Sequence, residues 1–178
     1  MIIVFTDGSC VQGNPGLASG AYVLTRNDKM LESLGMPLGK RTINAAELIA
    51  ALNGLRAAES YLEISEDIIL VSDSRYVISS IFRCNDFCKN PTRPNMELLM
   101  ALCETLNGIW NKGGKVLTKW VKGHHTNQGN KMCDRLARMT ALSQRYHYIT
   151  KDGNYMMENG NECKGIFAQG TLEGVGVV

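Results

Sequence analysis

The sequence predicts an α/β protein built on a mixed five-stranded sheet, three antiparallel strands followed by parallel ones, with helices on both faces. Three observations carry that prediction. The opening run MIIVFTD, residues 1–7, is mostly apolar on both of its alternating faces, which marks a central strand covered on both sides. Two further strand-like runs follow after short links. From residue 44 the apolar spacing changes from the strand period to the helical one.

Taken in order, Ile3, Phe5 and Asp7 share one face of the first strand, and Ile2, Val4 and Thr6 the other. The cluster VQGNPG (11–16) is a turn. Residues 19–27 and 29–38 read as two strands joined tightly at Asn27-Asp28, completing an antiparallel meander. A helix over 44–61 places Leu48, Leu52 and Leu55 on one face. The β-branched run DIILVSDS (67–74) reads as a buried parallel strand, and a helix starts at Ser74 and runs to residue 82. Two prolines and mixed charge make 83–95 a loop. Leu99, Leu102, Leu106 and Ile109 set a helix over 96–110, and 114–124 is a strand. A last helix over 129–145 turns Met132, Leu136 and Met139 inward. The order is βββαβααβα, with no internal repeat, and it defines a domain over 1–145. Residues 146–178 form a C-terminal extension: a hairpin around Asp152-Gly153, then a glycine-rich stretch (165–178) that is either a flexible tail or an added edge strand.

Composition narrows the function classes. A length of 178 residues fits one domain with a single sizeable core, and 44% hydrophobic with 20% charged residues is ordinary for a globular chain. No apolar run is long enough to span a bilayer, and Asp7 interrupts the N-terminal run before it resembles a secretory signal, so a cytoplasmic location is expected. A net charge of +2 does not by itself announce a nucleic-acid binder. The cysteines at 10, 84, 88, 103, 133 and 163 lack CxxC spacing and read as free thiols of a reducing compartment. Cys84 and Cys88 fit one helical face, but no second pair of matching spacing makes them a metal site.

Four carboxylates carry the chemistry. Three of them have ordinary structural explanations when taken one at a time. Glu47 follows Asn44 by three residues, as in a capping box; Asp73 suits the N-cap of the helix beginning at Ser74; Asp134 suits a pair with Arg138 one turn on. Asp7 has no such explanation, because nothing in an apolar strand calls for a carboxylate and burying one without a partner is costly. Sites in open α/β sheets form at the carboxyl ends of strands, where Asp73 falls and where the start of the Glu47 helix comes close. Converging carboxylates need a cation, and oxygen-only ligands suit Mg²⁺ or Mn²⁺. Two such ions are the expected device for cleaving a phosphodiester.

The motifs TDGSC (6–10), GNPG (13–16), NAAEL (44–48), SDSRYV (72–77) and WVKGHHTNQGNKMCDRLA (120–137) occur in an order that resembles type 1 ribonuclease H over about the first 145 residues. The resemblance implies the ribonuclease H-like fold and endonucleolytic hydrolysis of the RNA strand of RNA–DNA hybrids. It matches Asp7, Glu47, Asp73 and Asp134 to the family's metal-binding carboxylates, holding two Mg²⁺ ions for which Mn²⁺ substitutes. His124 matches the assisting histidine; its neighbour His125 offers an exchange of roles, although spacing to Asp134 favours His124. The resemblance further implies that Gly8, Cys10, Asn14, Thr42, Asn44, Ser74 and Arg75 meet the substrate. Thr42 and Asn44 also suit helix capping.

Three departures stand out. Arg75 occupies a position where the family often has glutamine, so a contact to phosphate or base edges is expected instead. The loop before Asn14 is one residue longer than common. Residues 78–95 replace a Trp- and Lys-rich basic helix with only Arg83, Lys89 and Arg93. Fewer phosphate contacts imply modest affinity and a shallow salt dependence, unless the extension or a partner protein compensates. A monomer without membrane contact is expected. Two other readings are a DNA resolvase or exonuclease of the same fold, and a binding module that has lost its chemistry; the complete set of site residues argues against the second.

Overall fold

The computed structural model describes residues 1–84, 86, 92–123 and 127–158. Its strands are β1 (Ile2–Val11), β2 (Gly16–Arg26), β3 (Lys29–Arg41), β4 (Ile68–Ser72), β5 (Val116–Trp120), β6 (His147–Ile149) and β7 (Tyr155–Met157). Its helices are α1 (Ile43–Tyr61), α2 (Arg75–Phe82), α3 (Met96–Asn111) and α4 (Gln128–Ser143). The strands form one sheet in the order β5-β4-β1-β2-β3-β6-β7. β1 pairs antiparallel with β2 and parallel with β4, which in turn pairs parallel with β5.

The alternation in the first strand divides two cores, one on each face. Ile2 and Val4 point toward α1 and α3, packing with Leu48, Leu55, Leu70, Leu99, Leu102 and Ile109. Ile3 and Phe5 point toward α4, packing with Val71, Met132, Cys133 and Leu136. The β2–β3 turn uses Asn27 and Asp28 at φ of 49° and 59°, the left-handed pair that a two-residue hairpin loop requires.

The sheet has seven strands rather than the expected five. β3 would otherwise end the sheet with a row of unpaired N–H and C=O groups, and the 146–157 hairpin covers part of it. β6 pairs with β3 at Gly35 and His147, and Ser33 clamps the join: its hydroxyl donates to the Ile149 carbonyl at 3.2 Å and accepts from the Ile149 N–H at 2.7 Å. The hairpin turns at Asp152-Gly153, with Gly153 at a φ of 84°. Residues 165–178, Cys88, Lys89, His124 and His125 lie outside the described residues.

Strand bounds also differ from expectation. β1 continues past Asp7 to Val11 because β2 pairs with it along its whole length, whereas its parallel partner β4 accompanies it only from Ile2 to Phe5. The cap of α1 is Thr42, whose hydroxyl accepts from the Ala45 N–H at 3.3 Å, so Asn44 lies inside the helix. Two cysteines depart from the free-thiol reading: Cys84, just after α2, and Cys103 of α3 are joined, with Cα atoms 5.5 Å apart. Cys10 and Cys133 are free. No helix among the described residues is long and apolar enough to cross a membrane.

The seat of α4 depends on Gly129. A Cβ there would lie 2.5 Å from the Phe5 ring, with Phe5 itself buried in the core. Gly129→Ala is therefore expected to destabilise the protein by about 1–3 kcal/mol despite the better helix propensity of alanine. Chemical denaturation of both chains measures the difference.

Candidate active site

The site opens where β1 outruns β4. Asp7 is two residues beyond the last β1–β4 pair, Phe5 with Val71, and Asp73 directly follows β4. Their side chains meet in the gap left by the departing strand. Glu47 enters from the second turn of α1, and one carboxylate oxygen from each of Asp7, Glu47 and Asp73 lies within 4.8 Å of the others. Asp7 and Glu47 are buried, at 6% and 7% exposure. Asp134, on α4, stands within hydrogen-bonding reach of Asp7.

Gly8 makes the meeting of strand and helix possible. A Cβ at this position would lie 2.7 Å from the Glu47 backbone nitrogen, so any side chain would push α1 off β1. The Gly8 N–H instead lies near both the Asp7 and the Glu47 carboxylates and favours their charged forms. Gly123 does the same on the other flank, where a Cβ would sit 2.7 Å from Asp73 Oδ2. The indole N–H of Trp120 donates to the Asp73 carbonyl at 3.0 Å.

The remaining sequence-predicted residues fall in two groups. Beyond Gly8, the loop after β1 folds onto the start of α1: Asn14 Oδ1 accepts from the Ile43 N–H at 3.0 Å, and Cys10 donates through sulfur to the Gly13 carbonyl at 2.9 Å and the Arg41 carbonyl at 3.4 Å. Thr42 and Asn44 are exposed on that same helix start. On the other side of the acidic cluster, Ser74 caps α2 by accepting from the Val77 N–H, and the Arg75 guanidinium lies over the Trp120 ring, 5.1 Å from its centre. Asp73 is thus not the helix cap; the serine after it is. Sequence reading missed Trp120 and Gly123 as individual residues, although both lie in the motif WVKGHH, because nothing in a linear sequence shows that they contact Asp73.

A family model described as RNase H matches residues 1–142. A ribonuclease H of Campylobacter concisus is 35% identical over 148 residues, covering 80% of this chain and 93% of the relative. The chain belongs to the ribonuclease H family. Among solved structures, an RNase H1 from Halobacterium salinarum matches with a TM-score of 0.61 at 25% identity, covering 80% of this chain and 98% of the other. The fold is also that of LC11-RNase H1, solved in complex with an RNA/DNA hybrid, at a TM-score of 0.62 and 19% identity over 81% of this chain and 99% of the other.

Electrostatics explain why this ribonuclease H site is suited to a cation. Burial, then the charges of Asp73 and Asp134, push the Asp7 carboxyl well above the usual carboxylate range. Burial, then Asp7 and Asp73, do the same to Glu47. The Gly8 N–H opposes both shifts without cancelling them. The field extends to Cys133, whose buried thiol is raised by burial first and by Asp7 next. Among the described residues Glu47 Oε2 has no hydrogen-bond partner although it is buried. An orphaned buried carboxylate oxygen beside two other carboxylates is a donor set that could hold a metal, and oxygen-only donors fit a hard divalent ion.

Between the ordinary carboxylate pKa near 4 and their raised native values, Asp7 and Glu47 hold protons in the folded protein that the unfolded chain releases. Their contribution to stability is therefore greatest at low pH and is lost as pH rises through that window. Without divalent ions, Asp7→Asn is expected to raise stability at pH 7 by on the order of 1 kcal/mol, a few degrees in Tm, and to flatten its decline with pH. Thermal melts in EDTA from the ordinary carboxylate range up through neutral pH test this, and a less stable Asp7→Asn chain at pH 7 would refute it.

Proposed function

We propose that this ribonuclease H family member hydrolyses the RNA strand of RNA–DNA hybrids using two divalent ions, Mg²⁺ or Mn²⁺, held by Asp7, Glu47, Asp73 and Asp134. The observation that carries the reading is the convergence of Asp7, Glu47 and Asp73 within 4.8 Å, two of them buried and raised in pKa, with Glu47 Oε2 left unpartnered. Family membership supports the substrate.

Bound ions would supply a water activated at neutral pH and charge stabilisation at the leaving oxygen. The chain's own residues do the rest. Asp7 and Glu47 are buried beside the Gly8 N–H, which favours their charged forms before substrate arrives. Asn14 is locked onto the α1 start, which puts it in line with the exposed Thr42 and Asn44 as a ledge for the sugar edge of the RNA-type minor groove, where 2′-hydroxyls are displayed. Ser74 and Arg75 border the opposite side. His124 serves as the proton-handling group, which its near-neutral pKa type suits, with His125 the less favoured choice.

Residues 78–95 offer only Arg83, Lys89 and Arg93 as basic side chains, so binding leans on few phosphate contacts. A monomer acting in the cytoplasm, with a partner protein supplying extra grip, completes the reading.

Cleavage of end-labelled RNA–DNA hybrid with Mg²⁺ or Mn²⁺, beside duplex DNA, duplex RNA and single strands, is the test. Cutting confined to the RNA of the hybrid is expected, with Asp73→Asn lowering the rate by about 10³-fold or more. Cutting of duplex DNA would refute the substrate. In the same assay, His124→Ala is expected to lower kcat by about 10²-fold, and His125→Ala by much less.

A further inference from the structure

Trp120 closes β5 beside Asp73, yet the residue is 44% exposed and so is not there to fill the core. Its two faces of chemistry are both in use. The indole N–H donates to the Asp73 carbonyl at 3.0 Å, and the ring carries the Arg75 guanidinium at 5.1 Å from its centre, inside the range of a cation–π contact. Next along the chain, the Val121 N–H donates to the Ser72 carbonyl at 3.1 Å, and the Ser74 N–H donates to Ser72 Oγ at 3.1 Å. The backbone that presents the Asp73 carboxylate is therefore held at three successive residues, one of them by a side chain that solvent reaches.

Arg75 is only two residues from a carboxylate cluster, but it forms none of the ion pairs of the described residues. Seated on the indole, the guanidinium stays clear of the acids, where it would compete with a cation. It remains exposed and keeps its planar donors for an outside acceptor. A phosphate is the acceptor this arrangement fits, because a polyanion approaching four carboxylates needs a fixed positive charge beside them.

The geometry points to Trp120 as a positioning residue that joins a phosphate contact at Arg75 to the placement of Asp73. Phosphate capture and carboxylate alignment then share one rigid side chain. This rests on the nucleic-acid reading above, whereas the indole's hold on Asp73 stands on geometry alone. Asp73 carries the ion-binding oxygen and Trp120 never touches the reacting atoms; its effect on rate passes through the Asp73 backbone. Trp120→Phe separates the two functions, since phenylalanine keeps an aromatic ring, smaller than the indole, under Arg75 while removing the N–H.

The chain has two tryptophans, Trp110 and Trp120, so Trp110→Phe leaves Trp120 as the sole fluorophore. Titrating that variant with RNA–DNA hybrid in EDTA, where no cleavage occurs, should change the Trp120 emission. Adding Arg75→Ala should weaken binding and reduce the slope of log affinity against log salt by about one, with Arg75→Lys restoring most of the slope. Mg²⁺ binding by calorimetry without nucleic acid should be about tenfold weaker in Trp120→Phe, and kcat on the hybrid should fall by about the same factor with KM little changed. A merely structural tryptophan would lower Tm and leave Mg²⁺ affinity and kcat per folded molecule alone; that result overturns the positioning role. Unchanged emission together with an unchanged salt slope in Arg75→Ala overturns the phosphate contact. Hybrid binding without cleavage by the unmutated chain would refute the nuclease reading and leave both of these results standing.

Discussion

Everything in the site follows from one constraint: buried carboxylates repel one another, and the fold forces them together. Asp7 and Glu47 are held at 6% and 7% exposure, Asp7 within reach of Asp73 and Asp134 and Glu47 within reach of Asp73. Packing of the two cores on either face of β1 supplies the free energy that holds this arrangement. The crowded acids carry a local cost in stability, a familiar exchange of stability for function.

The place of that site is set by strand pairing. A parallel partner that stops at Phe5 while the antiparallel partner continues to Val11 leaves one flank of β1 open over a few residues. An ionisable side chain there can reach water and ligands while its neighbours remain in the core. Two glycines then allow the approach from either side, Gly8 for α1 and Gly123 for the segment after β5. At both, the absence of a side chain is what brings the acids within bonding range of a common ion.

Much of this was legible in the sequence. Asp7 announced itself because a carboxylate amid Ile3, Val4 and Phe5 has no local explanation, and the alternation of those residues correctly foretold a strand covered on both faces. Element types followed from period and turn chemistry. What escaped was whatever depends on contact between distant segments. The α1 cap fell to Thr42 because the chain enters the helix from β3 one residue after Arg41, whereas spacing to Glu47 had suggested Asn44. The Cys84–Cys103 join and the Trp120–Asp73 bond link positions 19 and 47 residues apart, and no periodicity encodes them. The sixth and seventh strands were recognised as a hairpin, but their docking depends on the vacant edge of β3, which exists only once the sheet has formed.

That docking bears on where the molecule can safely be cut. The family match ends at residue 142, just before the hairpin begins. A chain shortened to that limit would keep all four acids and lose β6 and β7. It would also bare the part of the β3 margin around Gly35 and remove the covering of Ser33, which is buried in the intact molecule. Long uncovered margins recruit other chains. Ile149 and Tyr155 belong to the α4-side core, so the hairpin is also part of the floor on which that helix rests. For this protein the stretch that matches the family and the stretch that closes the fold are different lengths of chain.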